Sequence, residues 1–193
     1  MEAKAPYHHG ALRRALHDAA LRLIAEHGTD AFTMKQAATE AGVSVAAPYR
    51  HYAGKAELLG ELAAEGFDLL TDRLRDAGTA ADPAEALLDL GTAYLEFAHE
   101  HPAHFEVMFS GRGREPRTAE GNAALAVLRE ALERLEAEGR LRMRTDAALR
   151  ATWSMVHGLA VLRHGGMRTV AADDPAALRA EVLEPVLRGG LLR

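Results

Sequence analysis

Apolar and polar positions alternate along most of this chain with a period near 3.6, the mark of helices that bury one face. Leu12, Leu16, Ala19, Leu23 and His27 recur at spacings of four, three, four and four, with Arg13, Arg14, Asp18, Arg22 and Glu26 on the other faces. A first helix over about residues 9–27 follows, and Gly28 stands where a glycine stops a helix. Thr33 with Gln36 three positions later fits a capping box, and Phe32 is placed as the outer half of a hydrophobic staple. The second helix is therefore short, over residues 34–41, and ends at Gly42. Ser44 is placed to cap a third helix over residues 45–52, with Pro48 in or near its first turn, where a missing N–H costs least.

Ala53–Gly54 breaks that helix, and Lys55 opens a fourth that reaches about Asp76 through Leu58, Leu59, Leu62, Phe67, Leu69, Leu70 and Leu74. After a linker from Gly78, Asp82 and Pro83 start a helix to about His101, marked by Leu87, Leu88, Leu90, Tyr94, Leu95 and Phe97. Pro102 restarts a short apolar segment with Phe105, Met108 and Phe109, and residues 111–116 read as a polar, mobile loop. Further helices are expected over about 122–139, 146–163 and 175–187, the last capped by Asp174. The expectation is an all-α fold of about nine helices and no strand. A helix-turn-helix head over residues 1–57 would sit on a larger helical domain over residues 58–193.

Composition agrees with that pattern. The 193 residues include 40 Ala and 27 Leu, against 9 Val, one Ile and 5% aromatics, too few β-formers for a sheet protein. No apolar run nears the roughly 18 residues of a membrane helix, and the opening residues hold no apolar stretch of signal-peptide type. Without cysteine, disulfides, thiolate metal sites and cysteine nucleophiles are excluded. A cytoplasmic protein is expected. The net charge of −5 hides an asymmetry: residues 1–55 carry a balance of +2 and five of the ten histidines, while the rest carries −7. What matters for DNA is the local field, so an acidic body with a mildly basic head can still bind it.

The two short helices joined by Ala41–Gly42–Val43–Ser44 form a helix-turn-helix candidate, in which Gly42 makes the turn, Val43 plugs the gap and Ser44 caps. Many helical pairs share this pattern, so the third helix sharpens it. Ser44, Tyr49, His51 and Lys55 are phosphate-capable donors within twelve positions, and Arg50 can reach phosphate or base edges. Val45, Ala46 and Ala47 are small residues at the turn that would meet the major groove.

Residues from about Tyr7 to Leu59 resemble the DNA-binding domain of the TetR (tetracycline-repressor) family of bacterial transcription regulators. The resemblance rests on Thr33–Met34–Lys35–Gln36–Ala37–Ala38, Ala41–Gly42–Val43–Ser44, Tyr49–Arg50–His51–Tyr52 and Lys55–Ala56–Glu57–Leu58–Leu59. Two positions depart from it: Tyr52 stands where phenylalanine is usual, and Ala37 where a larger aliphatic is usual. Tyr7–His8–His9–Gly10 and Trp153–Ser154–Met155–Val156–His157–Gly158 resemble the subgroup named for a Trp-His-Gly signature. The resemblance implies a homodimer on a palindromic operator, released when a small molecule enters the C-terminal domain. It implies a DNA-binding set of Thr33, Lys35, Ser44, Val45, Ala46, Ala47, Tyr49, Arg50, His51 and Lys55, and neither catalysis nor a cofactor.

In the body, Phe67, Leu70, Tyr94, Phe97, Phe105, Met108, Phe109, Leu128, Trp153 and His157 are candidate pocket residues. The same stripe also suits plain core. Trp153 and His157 share a helix face, either as a core pair or with His157 turned to an effector. Gly158 in mid-helix suggests a neighbouring helix at close approach. A dimer face is expected at Val156, Leu159, Leu162, Leu178, Val182 and Val186, because the last two helices carry more apolar surface than one chain can cover. His8–His9, His99, His101 and His104 lack the spacing of metal ligands on one helix face. Gly111–Arg112–Gly113 lacks the strand and motif of a phosphate loop, and no nucleophile elbow or zincin motif occurs. The alternatives to a ligand-responsive regulator are a helical enzyme or metal-binding protein that resembles one, and an architectural DNA-binding protein without a ligand.

Overall fold

A computed structural model describes residues 9–110, 119–167 and 174–193, so the expected loop at 111–116 and the Tyr7–His8 pair lie outside the described residues. Eight helices account for most of what is described: α1 (His9–Ala31), α2 (Met34–Glu40), α3 (Lys55–Ala77), α4 (Pro83–Glu100), α5 (Pro102–Phe109), α6 (Ala119–Ala137), α7 (Thr145–His164) and α8. The last is continuous but mixed, α over Pro175–Leu178 and Glu184–Val186 and π-helical over Arg179–Leu183 and Leu187–Leu191. Among the described residues the only β pairing is a single antiparallel bridge between Leu141 and Leu192. The all-α expectation holds.

The caps are placed as the residue types demand. Thr33 accepts a hydrogen bond from the Gln36 amide at 3.2 Å, and Asp82 and Asp174 accept from the amides two residues on, ahead of Pro83 and Pro175. The Gln36 side chain meets the Thr33 hydroxyl rather than the Thr33 backbone, so the capping box is half formed. Gly28 breaks α1 with φ 79° and ψ 163°, and one further turn follows it to Ala31.

The expected third helix is corrected. Residues 44–51 form successive turns and a single 3-10 turn, Pro48–Arg50. The reason is Pro48, which has no N–H to give to the Ser44 carbonyl; that oxygen accepts instead from Ala47 at 2.9 Å. Among the described residues eight helices are therefore found where about nine were expected.

The chain divides into two compact units, and the first leaves α3 after Gly66. The first comprises α1, α2, the first half of α3 and, from far along the chain, residues 103–110. Leu16, Ile24, Phe32, Met34, Tyr52, Leu58 and Leu62 fill its core together with Val107 of α5. Glu106 on α5 accepts from both the amide (2.6 Å) and the hydroxyl (2.8 Å) of Thr29, just past the Gly28 break. A Cβ on Gly66 would lie 2.7 Å from the Met108 sulfur, so α3 and α5 touch closely there.

In the second unit α4 is buried along most of its length, through Leu87, Leu88, Leu90, Tyr94, Leu95 and Phe97, and packs on α6, α7 and α8. Ion pairs fasten α8 to α4: Arg179 to Asp89 (2.6 Å) and Glu85 (3.1 Å), and Arg188 to Glu85 (2.6 Å). No described helix is long and apolar enough to cross a membrane.

The Gly28 conformation is one that only glycine adopts without strain. Gly28→Ala should lower the unfolding free energy of the protein by about 1–3 kcal/mol. Gly189→Ala, which meets open space and has no positive φ, should change it by less than about 0.5 kcal/mol. Denaturant titration of both variants checks this, and equal effects would contradict it.

Candidate functional site

The recognition segment between Gly42 and Lys55 is held by its side chains. Gly42 turns the chain with φ 71°, and the Val43 amide returns to the Ala38 carbonyl at 2.9 Å, closing α2. Val43 packs partly against the head core. Pro48 and Tyr52 point inward and are buried, whereas Val45, Tyr49 and Arg50 point out, with Tyr49 56% exposed. Ser44 and Ala46 are also exposed, Ala47 and His51 half-buried, and Thr33 and Lys35 exposed at the start of α2. Seven of the ten expected DNA-binding residues are thus exposed, and Ala47, His51 and Lys55 are half-buried.

Lys55 is different. Its ammonium donates to the carbonyls of Thr29 and Phe32 at 2.6 Å each and of Asp30 at 3.3 Å, and lies 5.4 Å from the Phe32 ring centre. All three of its hydrogens have an oxygen to meet within the head. The Gly28 break frees these carbonyls from a helical ladder, and Lys55 gathers them.

Tyr52 anchors the far end of the segment. Its hydroxyl donates to Glu61 at 3.1 Å and lies 3.0 Å from Nε2 of His17, whose Nδ1 is 3.0 Å from Glu65. Arg13 pairs with Glu61 and sits over the Tyr52 ring. Burial pushes the Tyr52 hydroxyl above its ordinary pKa, so it stays protonated. The hydroxyl that distinguishes this residue from phenylalanine therefore joins α1 to α3 behind the recognition segment.

The second unit holds an apolar cleft with about 30 Å³ of free space. Leu74 of α3, Leu87, Leu90, Gly91 and Tyr94 of α4, Leu128 of α6, Thr152, Trp153, Met155 and Val156 of α7, and Leu183 and Leu187 of α8 line it. The hydroxyl of Tyr94, one of the lining residues, is 2.9 Å from Nδ1 of His157, whose ring stacks on Trp153 with an interplanar angle of 9°. Burial drives the Tyr94 pKa up and the His157 pKa down, so both are neutral at pH 7.

Of the expected pocket residues, the cleft brings together Tyr94, Leu128 and Trp153, with His157 against Tyr94. Phe67, Leu70 and Phe97 do not line it; Phe97 packs 5.1 Å from the His101 ring. Phe105, Met108 and Phe109 belong to the first unit, where the two phenylalanines pair at 5.0 Å. Helical periodicity marks these as inward-facing without saying inward to which core.

A second, open hollow of about 490 Å³ runs along α7 and α8, walled by Met143, Ala151, Gly158, Leu159, Leu162, Val182, Val186 and Leu191 among others. Four of the six expected dimer residues are on it: Leu159, Leu162, Val182 and Val186. Val156 faces the cleft and Leu178 is buried within the protomer. Within the protomer a Cβ on Gly158 would meet nothing within 4 Å, and the glycine lines this hollow. Among the described residues no group of three or more His, Asp or Glu could hold a metal ion.

Residues 87–185, just over half the chain, match the family model described as tetracyclin repressor-like, C-terminal domain. Residues 16–62 match that of bacterial regulatory proteins, tetR family. The chain belongs to the TetR family. It is accordingly a DNA-binding regulator of transcription rather than an enzyme, one that answers to a small molecule and works as a homodimer. The Mycobacterium tuberculosis repressor KstR2 is 35% identical over 92 residues, covering 47% of this chain and 46% of KstR2. A protein of unknown function from Rhodococcus sp. RHA1 superposes with a TM-score of 0.81 at 28% identity, covering 98% and 100% of the two chains. The regulator PfmR from Thermus thermophilus does so with a TM-score of 0.66 at 28% identity, covering 75% and 84%.

Sequence reading missed Glu106, Glu61 and His17. Each acts on a residue 35 or more positions away or, for Glu61, across the start of α3. An exposed-type side chain carries no mark of such a partner. The geometry of Lys55 makes a stability prediction. Lys55→Met should lower the unfolding free energy by about 1–3 kcal/mol, since three carbonyls lose a charged donor. Chemical denaturation without DNA measures it, and an unchanged midpoint would show that those bonds hold nothing.

Proposed function

We propose that the exposed surface of α2 and the recognition segment binds a palindromic operator, and that a molecule entering the body cleft releases it. The observation that carries this is the polarity of the segment: Pro48 and Tyr52 are buried while Val45, Tyr49 and Arg50 face outward. A free surface seldom offers an aromatic and an aliphatic side chain beside an arginine without a partner for them. Arg50 can meet a guanine edge bidentately, and Val45, Ala46 and Ala47 offer apolar contact to thymine methyls. Thr33, Lys35, Ser44, Tyr49 and His51 supply phosphate contacts, which position without specifying. Lys55 serves the same surface from behind, by fixing the Thr29–Phe32 carbonyls that lead into α2. The place of action is the cytoplasm, where the DNA is, and the absence of a membrane-length apolar helix among the described residues agrees with this.

The hollow on α7 and α8 is the proposed dimer face. Val161, Met167 and Val186 are exposed near Leu162 and Val182, and a second copy would cover them by twofold packing of these helices. That the relatives include KstR2, whose solved structure is described as a ketosteroid transcriptional regulator, supports an apolar effector for this chain.

Lys35→Ala should weaken binding to all duplexes alike and reduce the slope of log K against log salt by about 1. Arg50→Ala should instead relax preference at one base pair per half-site, by about 1–3 kcal/mol. Mobility shifts on the inverted repeat beside its own gene, at several salt concentrations, separate the two; unchanged affinity in both variants would remove this surface from the DNA. Leu162→Glu should turn the dimer into monomers and abolish operator binding with the head untouched. Sedimentation of the variant as a dimer would move the interface elsewhere.

A further inference from the structure

We infer that the effector is an electrically neutral molecule with an apolar body and one oxygen function, the oxygen seated at the Tyr94–His157 pair and the body against Trp153 and Leu183. The inference rests on reading the cleft as the effector site and adds the chemistry of what enters it. Among the described residues no charged side chain lines the cleft. Along α4 and α8, Asp89, Glu85, Arg179 and Arg188 pair with one another. A carboxylate or ammonium brought here would lose its water and gain no counter-charge.

Hydrogen bonding is equally selective. The Thr152 hydroxyl is committed to the Ala148 carbonyl at 2.8 Å. At Tyr94 and His157, by contrast, two neutral groups meet at 2.9 Å, and a hydroxyl that is donor and acceptor at once can exchange partners with an incoming oxygen. Burial keeps the histidine from becoming a cation that would welcome an anion. A seat at this hydrogen bond, with the body of the molecule against the apolar wall, selects ketones, alcohols and esters over acids and amines.

Room must be made, because 30 Å³ admits a water or two and no larger body. Leu183 is the side chain that fills the cleft beside α4, its Cδ1 only 3.0 Å from where a Gly91 Cβ would be. It stands in the first π-helical stretch of α8, a helix form that recurs at functional sites. Shortening Leu183 should therefore pre-form the space that an effector otherwise has to open.

Trp153 is the chain's single tryptophan and lines the cleft, so its fluorescence reports occupancy directly. The full-length protein at about pH 7.5, well above the lowered His157 pKa, is titrated with 2-octanone, octanoate, octylammonium and octane. The expected result is a saturable response to 2-octanone, with octanoate and octylammonium weaker by about tenfold or more. Tyr94→Phe should weaken 2-octanone by about five- to tenfold and leave octane unchanged. Leu183→Ala should bind 2-octanone more tightly than the parent. Octanoate or octylammonium binding as well as 2-octanone, an unchanged 2-octanone affinity in Tyr94→Phe, or no response to any of the four in either parent or Leu183→Ala would each overturn the inference. Operator binding by mobility shift is measured separately. A charged compound that releases the operator refutes this effector class and leaves the regulator standing, whereas failure to bind the operator at all strikes the regulator itself.

Discussion

Pro48 takes away the amide hydrogen that a regular recognition helix would need, and the organisation of the head follows from that loss. A segment without its own hydrogen-bond ladder keeps its shape only if its ends and its inward side chains are held from outside. Here Pro48 and Tyr52 supply the inward contacts, and Tyr52 is tied by its hydroxyl to Glu61 and His17. The charged atoms of this network are partly exposed, so its value is orientation more than energy. Lys55 does the corresponding work one turn later, binding the chain on the other side of α2 through three backbone carbonyls. Outward-facing Val45, Tyr49 and Arg50 are thereby presented on a fixed base, which is what readout of base edges requires.

The same first unit takes in α5, which follows α4 directly in the chain. Glu106 on α5 binds Thr29, and Lys55 binds the carbonyl of the same Thr29. The stretch after Gly28 is thus gripped from two sides by residues 77 and 26 positions away. α4 carries Tyr94 and Gly91 of the cleft wall, and the chain runs from it directly into α5, which holds this stretch. A regulator of this family couples effector to DNA only if each site prefers one of two arrangements, and the effect must run both ways: DNA that favours one arrangement disfavours the effector of the other.

Much of this is legible in the sequence, for local reasons. Thr33, Asp82 and Asp174 announce their helices because a cap acts within three residues, and Gly28 and Gly42 announce turns because their backbone conformation excludes other residues. The helix expected over residues 45–52 fails on a competition the pattern does not weigh: helical spacing of small residues against one proline at its centre. Lys55 is expected as a phosphate donor from its place at a helix start, and its carbonyl partners within the head are not visible from that spacing. They lie 23–26 positions back, exposed only by the break at Gly28. Phe105, Met108 and Phe109 belong to the first unit and do not line the apolar cleft, since periodicity gives a direction and not a neighbour. The Trp153–His157 pair is visible from spacing, whereas Tyr94, 63 residues from His157, is not.

The most direct test of the account is amide deuterium exchange with and without an inverted-repeat duplex selected for binding to the protein. The account predicts slowed exchange concentrated in residues 33–55 with that duplex, and no such change with a scrambled duplex of equal composition. Exchange unaltered across residues 33–55 while the protein is bound to the duplex would contradict it.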